Sequence, residues 1–365
     1  MGERDCPITR IDVGAYTVPT DAPEADGTFA WDKTTLVLVE AKAGGKTGLG
    51  YTYADTSTAT LIQETLAKQV IGRDALDIPG AWQAMDHAIR NLGRPGLCSM
   101  GIAAVDVALW DLKARLLDLP LASLLGRARD GVPVYGSGGF TTYSKAKLQE
   151  QLGGWAAIGI PRVKMKVGTH PEDDLKRVKW AREAIGPDVQ LFVDANGAYS
   201  RKQALRFADE YAALGVTWFE EPRPSDDLAG LHLLRDRGSA GMEIAAGEYG
   251  YTLSYFQQML DAEAVDVLQA DASRCAGVTG FLGVAALCHA QNMPLSAHCA
   301  PSLHVAPGCA ALNFRHLEYF HDHVRIEQML FDGALTPKDG ILYPDLSRPG
   351  MGLEFKKQDA AKYAA

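Results

Sequence analysis

Six ionisable residues, Lys166, Asp194, Glu220, Glu248, Asp271 and His298, each close a short apolar run. They follow one another at intervals of 28, 26, 28, 23 and 27 residues. That interval suits one strand plus one crossover helix. Strands of a parallel sheet covered on both faces read as nearly unbroken Val, Ile and Leu. A charge that returns wherever such a strand ends therefore needs a chemical reason, and in a β/α barrel the C-terminal strand ends carry the active site. The period points to a barrel, and to an enzyme, before any one motif is read.

A chain of 365 residues has room for a barrel of roughly 200–250 residues and a second domain. The alternation of strand and helix starts at Val132-Pro133-Val134-Tyr135 and runs through Pro294-Leu295-Ser296. Before it, residues 8–18 and 34–42 read as antiparallel strands, with a polar loop from Thr20 to Gly27 between them and a second loop from Gly48 to Asp55. Helices are predicted over 57–71, 79–92 and 99–118. Strands followed by helices without alternation mark an α+β domain. The expected division is a capping domain over 1–125, a barrel over 126–335, and a segment over 336–365 that returns to the cap.

The formal net charge of −9 excludes nucleic acid as the main partner. No apolar run approaches the ~20 residues of a membrane span, and Met1-Gly2-Glu3-Arg4-Asp5 lacks an apolar leader core. Six cysteines without a C-x-x-C pair read as buried thiols rather than disulfides. A cytoplasmic enzyme is the expectation.

In Lys164-Met165-Lys166 the two lysines share one face of a strand. Facing into a barrel, two ammonium groups repel and lose hydration, which lowers their pKa and suits one of them to act as a base. Asp194 in Val193-Asp194-Ala195-Asn196-Gly197, Glu220 in Phe219-Glu220-Glu221-Pro222 and Glu248 in Gly247-Glu248 bring three carboxylates to one mouth. Three such charges need a compensating cation. Oxygen-only ligands favour a hard ion such as Mg²⁺, whereas zinc would want His or Cys. Asp271 and His298 close neighbouring later strands, and a carboxylate on an imidazole fixes its tautomer and raises its basicity. Glu318 follows and, if protonated, would contact a substrate carboxylate.

On these residues the sequence resembles the enolase superfamily, in its mandelate racemase subgroup. The likeness spans nearly the whole chain, including Ala104-Val105-Asp106-Val107-Ala108-Leu109-Trp110-Asp111. The resemblance implies an α+β capping domain over a modified (β/α)7β TIM-type barrel. It implies Mg²⁺ held by Asp194, Glu220 and Glu248, with Lys166 and the His298–Asp271 dyad on opposite faces of a small-molecule carboxylate. Lys164 and Glu318 would flank that carboxylate, and a dimer or octamer is the usual assembly. The chemistry it implies is abstraction of the proton α to a carboxylate.

With a β-hydroxyl to expel, that step ends in dehydration of an acid sugar to a 2-keto-3-deoxy acid. Without one, it ends in racemisation or epimerisation of a 2-hydroxy acid, with cycloisomerisation a variant. Asp21 and Glu24 in the first capping loop, with Tyr51 and Tyr53 in the second, suit sugar hydroxyls and favour dehydration. The same acids also fit a solvated loop, and Phe29 and Trp31 could wall an apolar pocket. A binding protein that retained only the fold is disfavoured because every acid, base and ligand position is filled.

Overall fold

The computed structural model describes residues 6–365; Met1–Asp5, and the leader reading attached to them, lie outside the described residues. The chain opens with an antiparallel sheet of β1 (Arg10–Ala25), β2 (Ala30–Ala43) and β3 (Lys46–Tyr53), in that order. Both expected loops are mostly strand. The first, Thr20 to Gly27, continues β1 as far as Ala25, after a register shift between Pro19 and Glu24. The turn takes up only its end, where Asp26 Oδ1 accepts the N–H groups of Thr28 at 2.6 Å and Phe29 at 2.7 Å.

The second expected loop, Gly48 to Asp55, is mostly β3. Its glycines serve close packing rather than turning. A Cβ on Gly50 would stand 2.1 Å from the Ala104 carbonyl oxygen, and one on Gly48 would stand 2.3 Å from that of Ala108. The strand thus lies directly on the backbone of helix Leu97–Leu116, whose small Ala104 and Ala108 permit the approach.

Eight parallel strands form the barrel: β4 (Val132–Gly138), β5 (Arg162–Lys166), β6 (Gln190–Asp194), β7 (Val216–Glu220), β8 (Glu243–Ala246), β9 (Val267–Ala270), β10 (Leu295–Ala297) and β11 (Phe314–Phe320). Pairing of β11 with β4 closes it. A helix fills each of the seven gaps between strands, and another, His321–Leu330, follows the last strand. Along each strand alternate residues face inward. Tyr135, Phe192 and Trp218 form a packed interior layer, while Val193 and Phe219 point out into the helices' core.

Beyond the barrel, Ile341–Leu342 pairs antiparallel with β4. The chain then reaches the cap, where Met351 N–H donates to Asp111 Oδ1 at 2.6 Å and Arg115 Nη1 meets Glu354 at 2.7 Å. All six cysteines are free thiols. Among the described residues no helix is long and apolar enough to cross a membrane.

Candidate functional site

The strand register sets the site. Lys166 pairs with Asp194 across β5–β6, and Asp194 pairs with Glu220 across β6–β7, so three ionisable residues stand at one level. Two residues lower on their strands come Lys164, Phe192 and Trp218, which form the floor. Glu248 follows β8 through Gly247, whose φ of 134° and contact with the Gln269 carbonyl leave no room for a Cβ. Left-handed backbone recurs at the strand ends: Asn196 at φ 45°, Glu221 at 39°, Cys299 at 52° and Ala300 at 39°. Such strain in non-glycine residues gathers where a fold must aim particular side chains.

Oxygen atoms of Asp194, Glu220 and Glu248 converge to within 4.8 Å of one another, all three residues being buried. Lys166 Nζ lies 2.5 Å from Asp194 Oδ2. Lys164 donates to Glu220 and stands 2.8 Å from Glu318 Oε1. These ion pairs reverse the expected lysine shift. Burial pulls both ammonium groups down, but the surrounding carboxylates, Glu220 foremost at Lys164 and Asp194 at Lys166, hold them above the ordinary lysine value. Attraction to acids at contact outweighs repulsion between the two lysines.

The same ion pairs favour the ionised form of Glu318. Burial opposes its charge, yet Lys164 and His298 keep it well below the usual carboxylate range. Ser137 Oγ donates to its Oε1 at 2.5 Å, and Cys299 N–H to its Oε2 at 3.2 Å.

The dyad is built as a relay of orientation. Asp271 Oδ1 accepts both N–H and O–H of Ser273 at 2.7 Å, leaving Oδ2 for His298 Nδ1 at 2.8 Å. That contact orients the ring, with Nδ1 on Asp271 and Nε2 toward the carboxylate cluster. Nε2 lies 3.4 Å from Glu248 Oε2. Burial works against the Asp271 charge, but His298, His304 and Arg274 hold its pKa below the ordinary range.

Lys166 and His298 therefore bracket the three carboxylates, one beside Asp194 and the other beside Glu248. The cluster fits a hard divalent cation. Its donors are all oxygen, Glu248 Oε2 is buried without a hydrogen-bond partner, and burial followed by the neighbouring carboxylates raises Glu220 well above its usual value despite Lys164.

Asp21, Glu24, Tyr51 and Tyr53 form a second group, at the seam between cap and barrel. Asp21 Oδ2 lies 3.0 Å from His321 Nε2. Glu24 is buried, accepting from Trp31 Nε1 at 2.8 Å through Oε2 while Oε1 has no partner. Tyr51 is buried with its hydroxyl on Glu327 Oε1 at 2.7 Å. Tyr53 stacks on His323, the ring centroids 3.4 Å apart.

Several members of the site carried no separate reading from sequence. Asn196 and Glu221 lay within the quoted motifs beside Asp194 and Glu220. Ser137 and Cys299 gave no signal, being single small residues with no period. His304, which accepts the Ala272 N–H at 2.7 Å, holds the turn after Asp271.

Comparisons with known proteins identify the family and the fold. Residues 11–126 match the family model for the mandelate racemase / muconate lactonizing enzyme N-terminal domain, and residues 147–360 match the enolase C-terminal domain-like family. A mandelate racemase/muconate lactonizing enzyme-like protein from Rubrobacter xylanophilus superposes with a TM-score of 0.97 at 57% identity, covering 98% of this chain and 100% of that one. The 3,6-anhydro-alpha-L-galactonate cycloisomerase of Streptomyces coelicolor is 33% identical over 96% of this chain and 98% of its own. L-talarate/galactarate dehydratase from Salmonella typhimurium, crystallised with Mg and L-lyxarohydroxamate, gives a TM-score of 0.90 at 27% identity, covering 100% and 94%.

Proposed function

The chain belongs to the mandelate racemase / muconate lactonizing enzyme family of the enolase superfamily, and from that premise we propose that it abstracts the proton α to the carboxylate of an acid sugar and then expels the β-oxygen as water. Mg²⁺ is the cofactor of this superfamily, and Asp194, Glu220 and Glu248 would hold it. When bound, it would supply positive charge against the developing enolate and draw the charge of Asp194 away from Lys166.

The observation that carries the reading is the bracketing of the carboxylate cluster by two proton-transfer groups, Lys166 and His298 Nε2. One takes the α-proton from its face of the substrate, and the electron pair of that C–H bond moves into the enolate. The pair returns to break the β-C–O bond, and the other group gives its proton to the departing oxygen. Water leaves, and the enol ketonises to a 2-keto-3-deoxy acid. Lys164, ion-paired within the floor, holds the substrate carboxylate as its charge grows. Asp271 keeps His298 in the tautomer that presents Nε2.

The likeness to a 3,6-anhydrogalactonate cycloisomerase across nearly the whole chain favours a second reading on the same groups. In such a substrate the β-oxygen belongs to an ether ring, so it departs while still tethered and no mass is lost.

Proton NMR and mass spectrometry of the Mg²⁺-loaded enzyme in D₂O with a panel of acid sugars separate the outcomes. A keto acid with loss of water supports dehydration. A keto acid of unchanged mass from an anhydro substrate supports ring opening. Exchange of the α-proton alone moves the assignment to a racemase or epimerase.

A further inference from the structure

A cavity of about 550 Å³, a volume ordinary for a small-molecule site, is lined by the residues that follow the three-carboxylate cluster on its strand-end loops. Asn196, Glu221 and Tyr249 line it, each one or two residues beyond a member of the cluster. Asp226, Tyr251 and Tyr255 line it as well. Among the described residues no lysine, arginine or histidine lines this space. The nearby guanidinium groups have other partners: Arg274 lies behind the Tyr249 ring, 5.2 Å from its centroid, and 3.6 Å from both Glu248 and Asp271, and Arg223 meets the Tyr199 carbonyl and Asp227.

The accessible polar group of the wall leans the same way: the exposed Asp226 carboxylate accepts from a hydroxyl, whereas a second carboxylate brings only acceptors and another negative charge. Tyrosine rings add apolar faces for C–H groups of a sugar chain and hydroxyls for its oxygens.

We propose, resting on the acid-sugar reading above, that this cavity receives the uncharged, hydroxyl-bearing end of a monocarboxylate sugar acid and discriminates against dicarboxylates. A second carboxylate placed here meets the exposed Asp226, and none of the lining residues is a cation.

The test is a matched panel. The Mg²⁺-loaded enzyme is assayed with five- and six-carbon aldonates and with aldarates of the same configuration, following α-proton exchange and keto-acid formation by NMR. The expected result is a kcat/KM for the preferred aldonate at least about tenfold above its matched aldarate, the difference residing mainly in KM. An aldarate that equals or exceeds its aldonate overturns this inference and leaves the proposed function standing. Absence of exchange with both classes overturns both. Asp226→Arg, at the exposed rim, places a cation in the cavity and should raise the aldarate-to-aldonate ratio severalfold. An unchanged ratio overturns the assignment of the distal end to this space.

Discussion

Carboxylates are buried in two regions of this molecule, and the two treat them in opposite ways. At the barrel mouth, Lys164, Lys166, His298 and Arg274 hold Asp194, Glu318 and Asp271 below the usual carboxylate range against the pull of burial, while burial and the neighbouring carboxylates raise Glu220 and Glu221. At the seam between cap and barrel, burial dominates. It raises Asp106 to about 7, Glu327 to about 7 and Glu24 to about 8. Their partners are neutral donors: Thr279 for Asp106, Tyr51 and Ser302 for Glu327, and Trp31 for Glu24. Asp194, Glu318 and Asp271, which meet cations, are shifted toward the ionised form, whereas Asp106, Glu327 and Glu24, which meet only neutral donors, are shifted toward the protonated one.

The largest test of the contrast is at the mouth. Lys166→Ala should lower the rate of α-proton exchange by about 10³-fold, the scale of a lost acid–base group. Near-normal exchange in that variant would leave His298 as the only base. Next is the metal. Mg²⁺ at ~100 times its dissociation constant should stabilise the fold by about 2.7 kcal/mol, and chelation should reverse this in a thermal melt. Glu220→Gln should abolish the response.

At the seam, Tyr51→Phe takes the hydroxyl donor from buried Glu327 and should cost about 1–3 kcal/mol in urea denaturation, with little change in catalysis. A further test is in pH dependence, and its sign differs between the regions. Glu24 keeps its proton in the folded chain up to about pH 8 but releases it near ~4.3 when unfolded. Between those values the native state binds more protons, so stability falls as pH rises, by at most ~1.4 kcal/mol per pH unit for this group. Glu24→Gln should flatten that slope in melts between pH 5 and 8. The lowered carboxylates of the mouth contribute stability above their unfolded pKa, and it is lost only as strong acid carries them through their folded values.

The same contrast explains what was legible in the sequence. The barrel and its six chemical residues could be read because each ended an apolar strand at a repeating interval, and strand ends in a closed parallel sheet have only one mouth to meet in. The direction of the lysine shifts could not, because it depends on which acids lie at contact across the barrel rather than on the Lys164–Lys166 spacing. The cap was harder to read. Gly48 and Gly50 look like loop residues until helix Leu97–Leu116 is laid across them, when they become the only residues that fit a strand there. Asp21 to Ala25 look like a turn because Pro23 and the acids disfavour strand locally, yet pairing with β2 resumes at Glu24. Tyr51 alternates with Tyr53 on the strand, and the donor role of its hydroxyl follows from Glu327, which is 276 positions away.

Asp111 carries a consequence for synthesis. Its side chain lies fully buried in the cap, where it accepts from Leu49 N–H and Arg115, and from Met351 N–H, which lies 240 residues later in the chain. A ribosome adding about 5–20 residues per second delivers that last donor roughly 10–50 s after Asp111 itself has been made. Through that interval the whole barrel emerges while the cap still lacks its final strap. A nascent cap therefore waits with one buried carboxylate oxygen short of its partner, and its locking comes after the barrel's translation rather than before it.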